Sequence, residues 1–205
     1  MTIPYRYILA SGSPRRRELL AELGIPFTVV KSDIDETQRP GEDPIAYARR
    51  LSQEKAAAVH AQIASAGDPL IVIAADTVVI DADGVVLGKP SDAGEARAML
   101  TRLRGRAHTV CTGLTVLRQI DGQIDLETRD VRTRVWMRAY TDAEIEAYIA
   151  SGDPFDKAGG YAIQHPGFHP VERIEGSYSN VVGLPVETLR DLLAALGGAG
   201  FDDMP

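Results

Sequence analysis

Leu70-Ile71-Val72-Ile73-Ala74-Ala75 runs without a polar residue and ends at Asp76. Such a run suits a strand covered on both faces, near the middle of a sheet. Elements are expected on both sides of it. Upstream, Tyr5 to Ala10 reads as a short strand, and Phe27 to Lys31 as a second. Between them lies Ser11-Gly12-Ser13-Pro14-Arg15-Arg16-Arg17, with Ser13 placed to cap a helix and Pro14 at its first position. Leu19, Leu20 and Leu23 give that helix an apolar face. Small hydroxyl residues, free N–H groups and guanidinium groups thus meet at the positive end of a helix, a setting suited to anions. Ser32 to Pro44 reads as a polar loop, and Pro44 opens a long helix to about Ala66.

Downstream, Asp83-Gly84 is a hairpin signal between Val78-Val79-Ile80 and Val85-Val86-Leu87. Asp92 to Leu103 is expected as a helix. Thr109 to Arg118 and Leu126 to Met137 form the arms of a second hairpin about Asp121-Gly122. Asp142 to Ala150 is a helix capped by Thr141, and Pro185 to Leu196 a closing helix. Val171 to Ile174 and Tyr178 to Val182 are expected as strands. Elements alternate early and hairpins dominate the middle, so the fold class is α/β with a mixed sheet. No linker-like shift divides the chain, so residues 1–196 are expected as one domain and 197–205 as a C-terminal tail.

Bulk composition narrows the partners. The 205 residues carry a net charge of −7, which argues against non-specific binding of nucleic acid polymers. A small anion in a local basic pocket stays open. Cys111 is the only cysteine, so no intrachain disulfide forms and a reducing compartment is expected. No apolar stretch is long enough to span a membrane, and Arg6 interrupts any signal-peptide core. A cytoplasmic protein is expected, with a homodimer as the expected assembly.

Several polar residues admit two readings. At the end of an apolar strand, Asp76 either holds a cation or accepts a proton from water, or it caps the following turn. Lys55 falls on the inward line of Ala48, Leu51, Ala58 and Val59, where a lysine either snorkels outward or meets an anion. Gly88-Lys89-Pro90 and Asp156-Lys157-Ala158-Gly159-Gly160 are either ordinary turns or basic loops open to a ligand. Asp33, Asp35 and Glu36 are either a solvated acidic loop or oxygen ligands for Mg²⁺ or Mn²⁺. The four histidines form no metal set, and no Walker loop, Rossmann fingerprint or nucleophile elbow is present.

Taken together these segments resemble one family. Leu9-Ala10-Ser11-Gly12-Ser13-Pro14-Arg15-Arg16 resembles the opening motif of the Maf nucleoside triphosphate pyrophosphatases. Ile34-Asp35-Glu36, Lys55-Ala56, Ala75-Asp76-Thr77-Val78-Val79, Gly88-Lys89-Pro90 and Gly105-Arg106-Ala107-His108 follow in order. Asp156 to Gln164, Gly176-Ser177-Tyr178 and Val181-Val182-Gly183-Leu184-Pro185 complete the match, from Tyr7 to about Leu196.

The resemblance implies a twisted mixed sheet flanked by helices, in two lobes around a cleft, similar to inosine triphosphate pyrophosphatases. It implies cleavage of a nucleoside triphosphate to the monophosphate and pyrophosphate with a divalent cation, Mg²⁺ or Mn²⁺. The proton acceptor carries over to Asp76, and residues of substrate choice to Arg15, Thr77 and Gln164. Ser11, Glu36, Lys55 and Lys89 match further polar positions, with Glu36 and Asp76 on the metal. Among the arginines, Arg15 is expected to bind phosphate and Arg17 to be solvated. Gly159 to Gln164 resembles the branch acting on dTTP and UTP, although His165-Pro166 stands where glycine is common. Alternative readings are a pyrophosphatase for non-standard purine triphosphates, or a nucleotide-binding regulator of septum formation.

Overall fold

The computed structural model describes residues 5–65 and 68–196. The expected 197–205 tail lies outside the described residues, and the helix expected from Pro44 to about Ala66 stops at Ile63, where Ala64 leaves the helical conformation. Seven strands form one mixed sheet in the order β2-β1-β3-β5-β6-β7, with β4 paired to β3. β1 (Arg6–Leu9) lies parallel to both β2 (Phe27–Val29) and β3 (Leu70–Ile80). β4 (Val86–Leu87) turns back antiparallel on β3. β5 (Ala107–Ile120) and β6 (Gln123–Met137) are joined by Asp121 (φ 50°) and Gly122 (φ 77°). Two consecutive positive φ values are what a tight hairpin turn requires, hence Asp-Gly. β7 (Val171–Glu175) pairs antiparallel with β6.

Contacts divide the chain into two compact units. The first holds residues up to Asp76, Thr112–Val131 and the chain from Gly183 on. Its part of β3 shows why the apolar run is continuous. Leu70, Val72 and Ala74 pack on one side with Ile8, Ala10 and, from helix α2 (Pro44–Ile63), Ala56 and Val59. Ile71, Ile73 and Ala75 pack on the other with Leu9, Leu20 of helix α1 (Pro14–Ala21), and Leu189, Leu192 and Leu193 of helix α6 (Val186–Ala195). Alternate residues serve opposite faces, so every position is buried.

Helix α2 sits close to the sheet. A Cβ added at Gly113 on β5 would lie 2.4 Å from the Ala48 carbonyl oxygen, so only glycine permits the approach. The contact is reinforced by a buried hydroxyl chain, Ser52 to Thr115 (2.8 Å) and Thr115 to Thr128 (2.9 Å).

The second unit holds Thr77–Cys111 and Arg132–Val182. Its core gathers Leu100 and Leu103 of helix α3 (Ala93–Leu103), Ile145 and Tyr148 of helix α4 (Asp142–Ala150), and Val110, Val135, Tyr161 and Phe168. Both helices start where the sequence marks them. Asp92 accepts from the Glu95 N–H, and Thr141 with Glu144 forms a full capping box.

Two expectations are corrected. β3 does not end before Asp76 but continues through it to Ile80, so Asp76 is a mid-strand residue. Pairing with Leu87 and Val86 extends the strand past the carboxylate. Tyr178–Val182 is not a strand but a short helix, α5. Ser177 accepts the Asn180 N–H (3.2 Å), as a helix cap does, and buried Asn180 donates to the Val110 carbonyl (3.2 Å) and Thr133 (2.9 Å). That local capping overrides the strand preference of the two valines.

Candidate active site

The first unit places Lys55, Glu36 and Arg16 around one carboxylate, that of Asp76. Alternation along β3 puts Asp76 on the face of Leu70, Val72 and Ala74, the face covered by α2. On α2, Lys55 belongs to the buried stripe of Ala48, Leu51, Ser52, Ala56 and Val59. A lysine and an aspartate therefore face each other inside the protein. Lys55 does not snorkel: it is 6% exposed, Asp76 is 8% exposed, and Nζ lies 2.6 Å from the Asp76 Oδ1. Its second partner is Glu36, at 3.0 Å.

Glu36 comes from the long loop before α2, and α2 holds that loop. The Tyr47 hydroxyl donates to the Glu36 carbonyl at 2.7 Å. Arg50 grips both carboxylate oxygens of Glu42 (2.6 and 2.8 Å) and the Thr37 carbonyl (3.1 Å). This fork holds the Glu42 carboxyl well below its ordinary range, at about 2. Asp35 spends a carboxylate oxygen on the Thr37 N–H (2.9 Å), so Glu36 is the acidic-loop residue bonded to Lys55.

The opening motif meets the expectation of a capped helix. Ser13 accepts the Arg16 N–H at 3.4 Å, and Pro14 occupies the first turn. Buried Ser11 accepts from the Ser13 N–H (3.2 Å) and from the Arg16 guanidinium (3.2 Å). Arg16 also donates through Nε to the Gly183 carbonyl at 2.8 Å. Fixed on two sides, Arg16 is an oriented guanidinium next to Arg15, the arginine the sequence marks for phosphate. Arg15 is half-buried, and Arg17 is exposed as expected.

Charge and burial compete at Asp76. Burial raises its carboxyl above the ordinary carboxylate range, while Lys55 and Arg16 pull the other way. Burial likewise lowers the Arg16 guanidinium, with Asp76 and Glu36 opposing. The result is a carboxylate more basic than a solvated one, held against a buried ammonium.

The remaining sequence-marked residues belong to the second unit. Thr77 follows Asp76 on β3 and is half-buried; Lys89 and Gln164 are exposed. The Lys89 turn and the glycine loop pack together, with the Gly159 N–H donating to the Gly88 carbonyl at 2.9 Å. Gly159 takes φ 69°, and a Cβ there would lie 3.0 Å from Val79. Lys157 is not an open cation, because its Nζ bonds the Asp153 carbonyl (2.6 Å), Asp153 Oδ1 (2.9 Å) and Asp156 Oδ1 (2.6 Å). His165 shapes the turn after Gln164: its Nδ1 accepts the N–H groups of Gly167 (3.2 Å) and Phe168 (2.9 Å).

Sequence reasoning missed Arg16, Tyr47 and Arg50. The last two were findable: Tyr47, Arg50 and Glu54 recur at helical spacing after the Asp43-Pro44 start, on the side next to the acidic loop.

Among the described residues, no three His, Cys, Asp or Glu side chains form a metal cage. Glu36 and Asp76 nevertheless bond the same nitrogen, so their carboxylates converge on one cationic point. Lys55 occupies that point in this structure, and Glu36 and Asp76 are the two carboxylates that could turn to a hard cation there. No helix among the described residues is long and apolar enough to cross a membrane.

Residues 6–196 match the family described as Maf-like protein, and the chain belongs to that family. The dTTP/UTP pyrophosphatase of Myxococcus xanthus is 51% identical over 194 residues, covering 95% of this chain and 92% of that protein. The dTTP/UTP pyrophosphatase of Chromobacterium violaceum is 49% identical over 193 residues, covering 94% and 95%. A solved structure, the nucleoside-triphosphatase / dITP/XTP pyrophosphatase of Mycobacterium abscessus, aligns over 93% of this chain and 94% of that one, with 13% identity and a TM-score of 0.39. That last likeness is too distant to bear on function.

Proposed function

We propose that this chain hydrolyses dTTP and UTP to the monophosphate and pyrophosphate, with Asp76 accepting the proton of the water that attacks the α-phosphorus. The observation that carries the reading is the buried Lys55–Asp76 contact of 2.6 Å beside the arginine-bearing start of α1. Burial raises the Asp76 carboxyl, the direction that favours a proton acceptor. Arg16, held by Ser11 and Gly183, presents a fixed guanidinium for phosphate oxygens. Arg15 adds a second, and Lys55 a buried ammonium whose charge offsets the one that grows on the departing pyrophosphate.

Glu36 and Asp76 are the residues that would hold Mg²⁺ or Mn²⁺. When bound, such an ion neutralises phosphate charge and orients the substrate. Lys89, which the family resemblance ties to phosphate charge, and Thr77 and Gln164, which it ties to the base, belong to the second unit. An amide both donates and accepts, as a uracil or thymine edge requires. The relatives named dTTP/UTP pyrophosphatase support the pyrimidine choice. A cytoplasmic setting agrees with a single cysteine, Cys111, which leaves no intrachain disulfide to form.

The test is product analysis on UTP, dTTP, ITP and 7-methyl-GTP with Mg²⁺ and with Mn²⁺. Monophosphate plus pyrophosphate, fastest from UTP and dTTP, is the expected outcome. Diphosphate plus phosphate contradicts the chemistry, and preference for ITP or 7-methyl-GTP contradicts the pyrimidine assignment. Saturable UTP binding with no product in either cation favours the nucleotide-binding regulator.

A further inference from the structure

The Gly105-Arg106-Ala107-His108 segment takes no part in the proposed catalysis, yet it borders a built cavity. Gly105 adopts φ 64° and turns the chain from α3 into β5. Arg106 is then fixed by its backbone, its N–H donating to the Leu103 carbonyl (3.1 Å) and its carbonyl accepting from Met137 (3.1 Å). A cavity of about 500 Å³ opens here, lined by Asp81, Ala82, Arg106, Ala107, His108, Thr109 and Arg134. Pockets of this size take small ligands.

Its charge is cationic. Asp81 is the single carboxylate in the lining, and it is spent: Oδ1 accepts the N–H groups of Asp83 (2.9 Å) and Val85 (2.8 Å), and Oδ2 pairs with Arg102. The side chain of Arg106 is 49% exposed and forms a long ion pair with exposed Asp83, at 3.7 Å, beyond hydrogen-bonding distance. Arg134 is exposed and forms no ion pair among the described residues. Its guanidinium lies over Trp136 at 5.0 Å, and Arg173 packs on the same ring at 3.5 Å. This stacking orients Arg134 without using its N–H donors. Buried His108 is neutral, its pKa lowered by burial to about 4. It spends Nε2 on Tyr161 (2.7 Å), while Nδ1 has no hydrogen-bond partner.

We propose that this cavity is an accessory binding site for a small phosphate-bearing anion, held by the guanidinium forks of Arg106 and Arg134. Two forks and no free carboxylate select a multiply charged oxyanion over a monocarboxylate. The site draws on no residue assigned to catalysis, so its test is independent of turnover.

Trp136, the only tryptophan in the chain, reports on it directly. Pyrophosphate and UMP are each titrated into the full-length protein at constant ionic strength while tryptophan emission is recorded. Saturable change with pyrophosphate supports a free polyphosphate ligand; tighter saturation by UMP supports a nucleotide phosphate. Arg106→Gln weakens half-saturation about tenfold, the loss expected for one charge-assisted contact. Arg134→Gln, which alters the reporter's own surroundings, is measured by calorimetry and shows a similar loss.

An equal response to sulfate, meaning an adventitious ion only, overturns the proposal. So does the absence of saturation, or affinity unchanged in both variants. A response confined to single-stranded oligonucleotides overturns it in favour of a polymer surface.

Discussion

Lys55 Nζ and Asp76 Oδ1 lie 2.6 Å apart with both side chains about nine-tenths buried. The contact follows from two periodicities. The two-residue repeat of β3 turns Asp76 toward α2, and the helical repeat of α2 turns Lys55 toward β3. Each charge is tolerated because the other is there.

Lys55→Met removes the ammonium and leaves the carboxylate buried. Breaking a buried pair costs about 3 kcal/mol at neutral pH. The variant's Asp76 loses the neighbour that lowers its pKa, so the folded-state value rises further above the unfolded one. The folded protein then binds more protons than the unfolded chain in that window, and stability falls as pH rises through it. Urea unfolding across pH is expected to show the deficit shrinking toward acid. A constant deficit points to lost packing alone.

The rate profile carries the same sign. A proton acceptor works only when deprotonated, so kcat/KM falls as pH drops through the pKa of Asp76. Because burial raises that pKa, the acidic limb lies above the ordinary aspartate value of about 3.9. A rate profile measured with UTP checks this. An acidic limb at or below the ordinary value argues against the buried carboxylate.

Arg16 is held at Ser11 and Gly183 by two different nitrogens. Lysine cannot reproduce that fork, so Arg16→Lys should reduce kcat/KM about tenfold or more, equivalent to ~1.4 kcal/mol. Exposed Arg17→Lys should leave it unchanged. Steady-state kinetics on both variants separates an oriented phosphate ligand from general positive charge.

Gly113→Ala tests how the site is held. The new Cβ would meet the Ala48 carbonyl oxygen at 2.4 Å, and backbone cannot swing aside as a side chain can. Helix α2 must shift, at a cost of about 1–3 kcal/mol. Because Lys55 rides on that helix, activity is expected to fall along with the melting temperature. Full activity at reduced stability uncouples the two.

Much of this was readable in the chain. Leu70–Ala75 announces a strand buried on both faces, Thr141 and Asp92 announce helix starts, and Asp121-Gly122 announces a hairpin. Lys55 stood out as a charge on an apolar stripe, but the partner that resolves it is 21 residues away, and local pattern does not report such pairs. Asp76 was misplaced at a strand end because its charge looks like a boundary, whereas the strand continues through it by pairing with β4. The anchoring of Arg16 was not legible, because adjacent arginines look alike until a distant carbonyl, that of Gly183, fixes one of them. The helix at Tyr178–Val182 was hidden because the strand preference of its valines masks the local Ser177 cap, and because the groups on β5 and β6 that accept from buried Asn180 are far away in sequence.

The central claim is water attack at the α-phosphorus, and hydrolysis of UTP in oxygen-18 water tests it most directly. Mass spectrometry of the products is expected to find one labelled oxygen in UMP and none in pyrophosphate. Label in the pyrophosphate, with none in UMP, would place the attack on the β-phosphorus and contradict the account.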